Sequence, residues 1–155
     1  MIEAISINDT LLLRMNIEIK RLKLEEVRQI LTITDKEFIP HLSQMTDIQQ
    51  YAERLSKFAK WAIATLNHTL VGGIAYYENT NCKQIYLTYV CVLPNMRNSG
   101  VGKLLLKFIE DHASGFETVA LEVNKSNTNA FRFYNNNGFV IKEDRGNRFL
   151  LRKNL

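Results

Sequence analysis

Residues 84–110 leave few folds open. An apolar run, QIYLTYVCVL, passes through PNMRNSGVG straight into a helical pattern, with Val101, Leu104, Leu105, Phe108 and Ile109 at i, i+3, i+4, i+7 and i+8. Glycines at a strand-to-helix junction let backbone approach a ligand closely, and the helix N-terminus turns unpaired N–H groups toward an anion. The junction is therefore shaped for a phosphate-bearing ligand.

Two familiar phosphate loops do not fit it. The mononucleotide loop G-x-x-x-x-G-K-[ST] would need glycine where Arg97 stands and a hydroxyl where Leu104 stands. The dinucleotide fingerprint G-x-G-x-x-G finds Gly100 and Gly102, but Leu105 takes the third place. That fingerprint also opens a βαβ unit, whereas this junction follows a run of strands.

The rest of the chain reads as helices before strands. MNIEIKRL (15–22) alternates as a strand, and KLEEVRQILTIT (23–34) sets Leu24, Val27, Ile30 and Leu31 at helical spacing. FIPHLSQM (38–45) reads as a loop, with Pro40 unsuited to a helix interior. TDIQQYAERLSKFAK (46–60) reads as a second helix, capped by Thr46 or Asp47, with Ile48, Tyr51, Leu55 and Phe58 on one face. WAIATLN, TLVGGIAYYE and QIYLTYVCVL form an antiparallel meander whose turns are NH and NTNCK. After the junction helix come a strand (ETVALEV), a helix (NTNAFRFYNNN), a left-handed cap at Gly138, and a closing pair of strands, FVIKED and RFLLRK. The class is α+β, a mixed sheet covered by helices. Residues 1–14 read as an extension or an extra strand at IEAISI, and residues 15–155 as a single domain.

Composition narrows the partners. With 46% apolar and 23% charged residues the chain is globular in type. Its net charge of +4 suits a polyanionic small molecule, and the basic residues are scattered rather than gathered in a stripe, so no nucleic acid is expected. No run approaches the ~20 apolar residues that span a bilayer, and no membrane partner is expected. MIEAISINDTLLLRM lacks the features of a secretory signal, and Cys82 and Cys91 lack metal-ligand or C-x-x-C spacing. A reduced, cytoplasmic chain, monomeric or homodimeric, is the expectation. His41, His68 and His112 have no metal spacing either, and no metal is expected.

A third phosphate motif does fit. V-x-P-x-x-R-x-x-G-x-G is present as Val92, Pro94, Arg97, Gly100 and Gly102. Downstream, L-x-V-x-x-x-N-x-x-A-x-x-x-Y-x-x-x-G-F is present as Leu121, Val123, Asn127, Ala130, Tyr134, Gly138 and Phe139. Together, over about residues 15–153, these resemble the GNAT superfamily of acetyl-CoA-dependent N-acetyltransferases. The resemblance implies a mixed, mostly antiparallel twisted sheet flanked by helices on both faces. It implies acetyl-CoA as co-substrate, with the backbone of Val90, Cys91 and Val92 pairing with the pantetheine arm. Arg97, Asn98, Ser99, Gly100, Val101, Gly102 and Lys103 would surround the diphosphate, and Asn127 would contact the cofactor. Tyr134 takes the place of the family's general acid toward the departing thiolate, a role its phenol can fill.

From residue type alone, Tyr134 is a core tyrosine beside Ala130, Phe131 and Phe133, and Asn127 a helix cap; both readings stay open. Phe131 and Phe139 read as core residues, and Cys91 as a buried strand cysteine rather than a nucleophile. Many family members carry a glutamate base on the fourth strand, near Thr88 or Tyr89, where this chain has no carboxylate. Glu53, Glu78, Glu122 or a relayed water are the substitutes, and none is singled out. The acceptor is a small-molecule amine, framed by residues 35–57 with His41, Ser43, Gln44, Asp47, Gln49, Tyr51 and Glu53, and an amino sugar leads. The alternatives are a non-catalytic acyl-CoA-binding or interaction module and an acetyltransferase acting on protein amines.

Overall fold

The run Gln84–Val92 is the central strand, β4, and its buried residues divide between the two faces of the sheet, Ile85 and Leu87 on one and Tyr89 and Cys91 on the other. In a strand successive side chains point to opposite faces, so a two-faced apolar strand requires a layer on each side of the sheet. Both layers are present in the computed structural model, which describes residues 12–35 and 42–155. The strands are β1 (Asn16–Lys20), β2 (Lys60–Leu66), β3 (Thr69–Asn79), β4, β5 (Thr118–Asn124), β6 (Val140–Asp144) and β7 (Arg148–Asn154). They form one sheet in the order β1-β2-β3-β4-β5-β7-β6, antiparallel throughout except where β4 meets β5. The helices are α1 (Leu24–Thr34), a short α2 (Leu42–Met45), α3 (Ile48–Phe58), α4 (Val101–Asp111) and α5 (Thr128–Asn136).

Pleating sorts the core into two layers. Trp61 and Ile63 of β2, with Ala75, Tyr89 and Cys91, pack under α1 and α3 through Val27, Leu31, Tyr51, Ala52 and Leu55. Ala62 and Ala64, with Ile74, Leu87 and Leu121, pack on the other face under α4 through Val101, Leu105, Leu106 and Ile109. Burying each such Leu or Ile side chain stabilises the fold by about 1.5–3 kcal/mol. The expected mixed, mostly antiparallel sheet with helices on both faces is the observed one.

Several local expectations change. The apolar face of α3 runs through Tyr51, Ala52 and Leu55, and Phe58 is 57% exposed because it ends the helix beyond the sheet contact. Residues 42–45, expected as loop, close one helical turn, held by Ser43, whose N–H and hydroxyl both donate to the Asp35 carboxylate. Pro40, His41 and the proposed extra strand at residues 2–7 lie outside the described residues. The two-residue turn between β2 and β3 uses Asn67 and His68 at φ 52° and 65°, the left-handed pair that a tight hairpin requires. No helix among the described residues is long and apolar enough to cross a membrane.

Candidate active site

The site begins where β4 and β5 part. They pair in parallel only from Gln84–Thr118 to Leu87–Leu121. Beyond that, β5 stays with β7, pairing through Glu122, Val123 and Asn124, while β4 stays with β3. The β5-facing edge of Thr88–Val92 is thus left without a strand partner, and a free edge presents main-chain donors and acceptors to whatever fits beside it. Val90, Cys91 and Val92, the expected pantetheine strand, lie on this edge. Val92 is partly engaged already, since its carbonyl accepts from Arg97 Nε at 3.1 Å.

A bulge sits at the parting point. Ala75 pairs with Tyr89 and Tyr76 with Leu87, so Thr88 is an extra residue with no partner on β3. Sequence periodicity does not reveal it, because the two halves of β4 each alternate normally.

Beyond β4 the chain makes a 3-10 turn at Pro94–Met96 and then two left-handed steps, Asn98 at φ 59° and Gly100 at φ 94°. Gly100 is the N-cap of α4, and its left-handed backbone is what an L side chain rarely adopts. No side chain caps this helix, whereas Asp47 accepts from Gln50 N–H at the start of α3. The first-turn amides of α4 at Val101, Gly102 and Lys103 have no intrahelical acceptor, and the first main-chain bond of the helix is Leu104 N–H to the Gly100 carbonyl at 3.0 Å. With the left-handed steps they present a run of uncapped N–H groups, the arrangement to which an anion is suited. Ser99 is turned inward and donates to the Met96 carbonyl. The second glycine serves a different contact: a Cβ on Gly102 would lie 3.0 Å from Phe133 Cζ, so its bareness admits the ring from α5.

Tyr134 projects from α5 into the cluster that also holds Val90, Val92, Val101 and Val123. Its ring meets Phe133 and Phe139 edge-on, with centroids 5.2 Å and 5.6 Å away. The residue is 7% exposed, and burial alone raises its phenol above the usual 10.0. Trp61 Nε1 is the one fully buried side-chain nitrogen or oxygen without a partner among the described residues. No described residue hydrogen-bonds the Tyr134 hydroxyl. Its core packing and an available donor coexist.

Asn127 caps α5, its Oδ1 accepting from Ala130 N–H at 3.1 Å. Asn127→Ala is expected to cost about 1 kcal/mol and lower the melting temperature by roughly 2–4 °C. Asn127→Asp keeps the capping oxygen and should melt with the parent. Any fall in cofactor affinity in that second variant then belongs to the lost amide donor, and thermal unfolding beside titration separates the two.

The carboxylates proposed as bases are engaged. Glu78 pairs with Lys60 at 2.7 Å, and Glu53 accepts from Gln49 Nε2 at 2.8 Å. Glu122 is held between Arg145 at 2.9 Å and Arg148 at 3.6 Å. The polar set offered for the acceptor is mostly structural too: Gln49 accepts from Arg28 at 2.9 Å, Asp47 is a cap, and Ser43 binds Asp35. Among the described members of that set, Tyr51 reaches the sheet, donating to the Thr88 carbonyl at 2.7 Å with Thr88 Oγ1 2.8 Å away. Cys91 is buried on the opposite sheet face from Tyr134, among Trp61, Tyr89 and Leu31. His68 lies in a turn, and the His112 ring stacks on Phe108 at 4.1 Å. No group of three or more metal-capable side chains occurs among the described residues.

The same architecture recurs in solved proteins. PaiA N-acetyltransferase of Thermoplasma acidophilum, solved in complex with coenzyme A, superposes with a TM-score of 0.73 at 21% identity over 90% of this chain and 99% of its own. Ard1 of Thermoplasma volcanium gives 0.68 at 19% identity over 90% and 97%. Among curated proteins, the UPF0157 protein YqkA of Bacillus subtilis strain 168 is 33% identical over 109 residues, which are 68% of this chain and 29% of that one. The chain thus spans under a third of that relative's length. The model of the acetyltransferase (GNAT) family matches residues 24–139, from the first residue of α1 to the Gly138-Phe139 pair that closes the downstream motif. With the parted strands, the uncapped helix and three quarters of the sequence in agreement, the chain belongs to the acetyltransferase (GNAT) family.

Proposed function

We propose that the protein is an N-acetyltransferase that passes the acetyl group of acetyl-CoA to a primary amine of a small molecule. The observation that carries this reading is the junction at α4: an uncapped helix N-terminus beside a strand edge that has lost its partner. A diphosphate fits the first-turn amides of Val101–Lys103, and an extended amide-bearing arm fits the edge of Val90–Val92 as an added strand would.

The chemistry is direct attack in a ternary complex. The amine nitrogen bonds to the thioester carbon, the C–S bond breaks, the sulfur leaves as thiolate and takes up a proton, and the amine loses one. An alkylammonium titrates near 10.4, so holding it neutral at pH 7 costs roughly 4–5 kcal/mol. With Glu53, Glu78 and Glu122 engaged, a water held by backbone and hydroxyl groups is the proton acceptor this site offers. Tyr134 faces the leaving group. A phenol raised above 10 is a poor donor of a whole proton to a thiolate whose own acid titrates near ~8.5. Its contribution is a hydrogen bond to the developing charge, and the departing thiolate takes its proton from solvent water.

Calorimetric titration with acetyl-CoA, beside ATP and NADH, tests this reading. Selective binding of acetyl-CoA followed by amine-dependent release of CoA across a panel led by amino sugars is the expected result. Equal binding of ATP would sink the reading. Binding without release to any amine would favour a non-catalytic acyl-CoA-binding module, the second reading that the engaged carboxylates support.

A further inference from the structure

Thr88 is the extra residue of the β4 bulge, and it directly follows Leu87, the last residue that pairs with β5. The strand therefore changes both partners at this one position: it slips its register on β3 and leaves β5. A bulge leaves its extra residue outside the ladder and bends the strand, so something else must hold that residue in place. The holder is Tyr51. It comes from α3, 37 positions away in sequence, is 8% exposed, and sends its hydroxyl to the Thr88 carbonyl at 2.7 Å and to within 2.8 Å of Thr88 Oγ1. Both polar groups that Thr88 carries apart from its N–H thus converge on one phenol. Arg54 lies over the Tyr51 ring, 5.5 Å from its centroid.

We infer that Tyr51 is a positioning residue for the transfer. By fixing the bulge at Thr88 it sets the angle at which Tyr89–Val92 leaves β5, and hence where the thioester sits relative to the amine. The inference rests on the acetyltransferase reading above. It assigns Tyr51 no contact with the reacting atoms. It also separates the two bonds: the carbonyl bond holds the backbone, whereas the Oγ1 contact only orients a side chain.

Tyr51→Phe removes both bonds while keeping the ring in the core, and Thr88→Val removes the Oγ1 contact while leaving the carbonyl bond. Tyr51→Phe is expected to lower kcat about tenfold with KM for acetyl-CoA within about twofold, the size of one lost hydrogen bond that acts on geometry. Amide hydrogen exchange should quicken at residues 88–92 and stay unchanged at the β5–β7 pairing. Thr88→Val, which keeps the carbonyl bond, should keep exchange at residues 88–92 near the parent. A Tyr51→Phe enzyme with parental kcat, or with parental exchange at residues 88–92, overturns the inference. So does a fall in acetyl-CoA binding that accounts for the whole loss of rate, since that is the mark of a merely structural tyrosine. A parent protein that acetylates no amine is a different outcome: it overturns the acetyltransferase reading, and the positioning role with it.

Discussion

Tyr134→Phe is expected to reduce turnover about a hundredfold while leaving acetyl-CoA affinity within about twofold, the pattern of an interaction made only as charge develops. The hydroxyl has no hydrogen-bond partner among the described residues, so its removal strips no hydrogen bond from the ground state. The ring remains and preserves the edge-on contacts with Phe133 and Phe139, so the melting temperature should barely move. The pH profile adds an independent check. Burial raises this phenol, so its acid form persists above its usual 10.0, and rate lost to its deprotonation should appear only on the alkaline side of that value. Steady-state kinetics and binding by calorimetry decide the matter. A variant with parental turnover removes Tyr134 from the chemistry, and a descending limb near about pH 8 that vanishes in the variant contradicts the raised phenol.

The parts of this site that sequence shows are those built from neighbours in the chain. Gly138 announces a left-handed cap because few other residues accept one, and it takes φ 91°. Asn127 was readable as a cap from its place ahead of a helical run, and the structure gives it that bond. The meander followed from the turn residues of Asn67-His68 and 79–83. What stayed hidden depends on partners distant in sequence. Tyr51 shows its helical face but not that it reaches a bulge on β4. The engagement of Glu122 follows only once β7 lies beside β5, which brings Arg148 and Arg145 to it. Gly102 was read as clearance for a phosphate, and its nearest neighbour is Phe133 on another helix. Phe58 satisfied the helical spacing yet lies 57% exposed, because spacing fixes a direction and not where the opposing layer stops.

Lys103→Glu should weaken acetyl-CoA binding about thirtyfold and leave the fold as stable as before or slightly more so, a pairing of opposite effects that few substitutions produce. Lys103 is the third residue of α4, exposed, at the positive end of the helix dipole. An acidic residue there gains about 0.3–1 kcal/mol from the dipole and a basic one loses by it, so for helix stability alone lysine is the wrong choice. The first turn of α4 contains no acidic residue at all. Positive charge at that place suits the polyanion proposed for this site. Exchanging lysine for glutamate changes the local charge by two units. At about 1 kcal/mol for each unit near a solvated diphosphate, that is about 2 kcal/mol, or thirtyfold in affinity. Lys103→Gln changes one unit and should lose about fivefold by the same arithmetic. Because the effect is Coulombic and exposed, the gap between parent and variant should narrow between about 0.1 M and 1 M salt, as the screening length falls from ~10 Å to ~3 Å. Titration at both salt concentrations, beside thermal unfolding, reads all three quantities. Equal affinity for parent and Lys103→Glu would place the diphosphate away from the first turn of α4, and a loss that ignored salt would trace it to disturbed packing instead of charge.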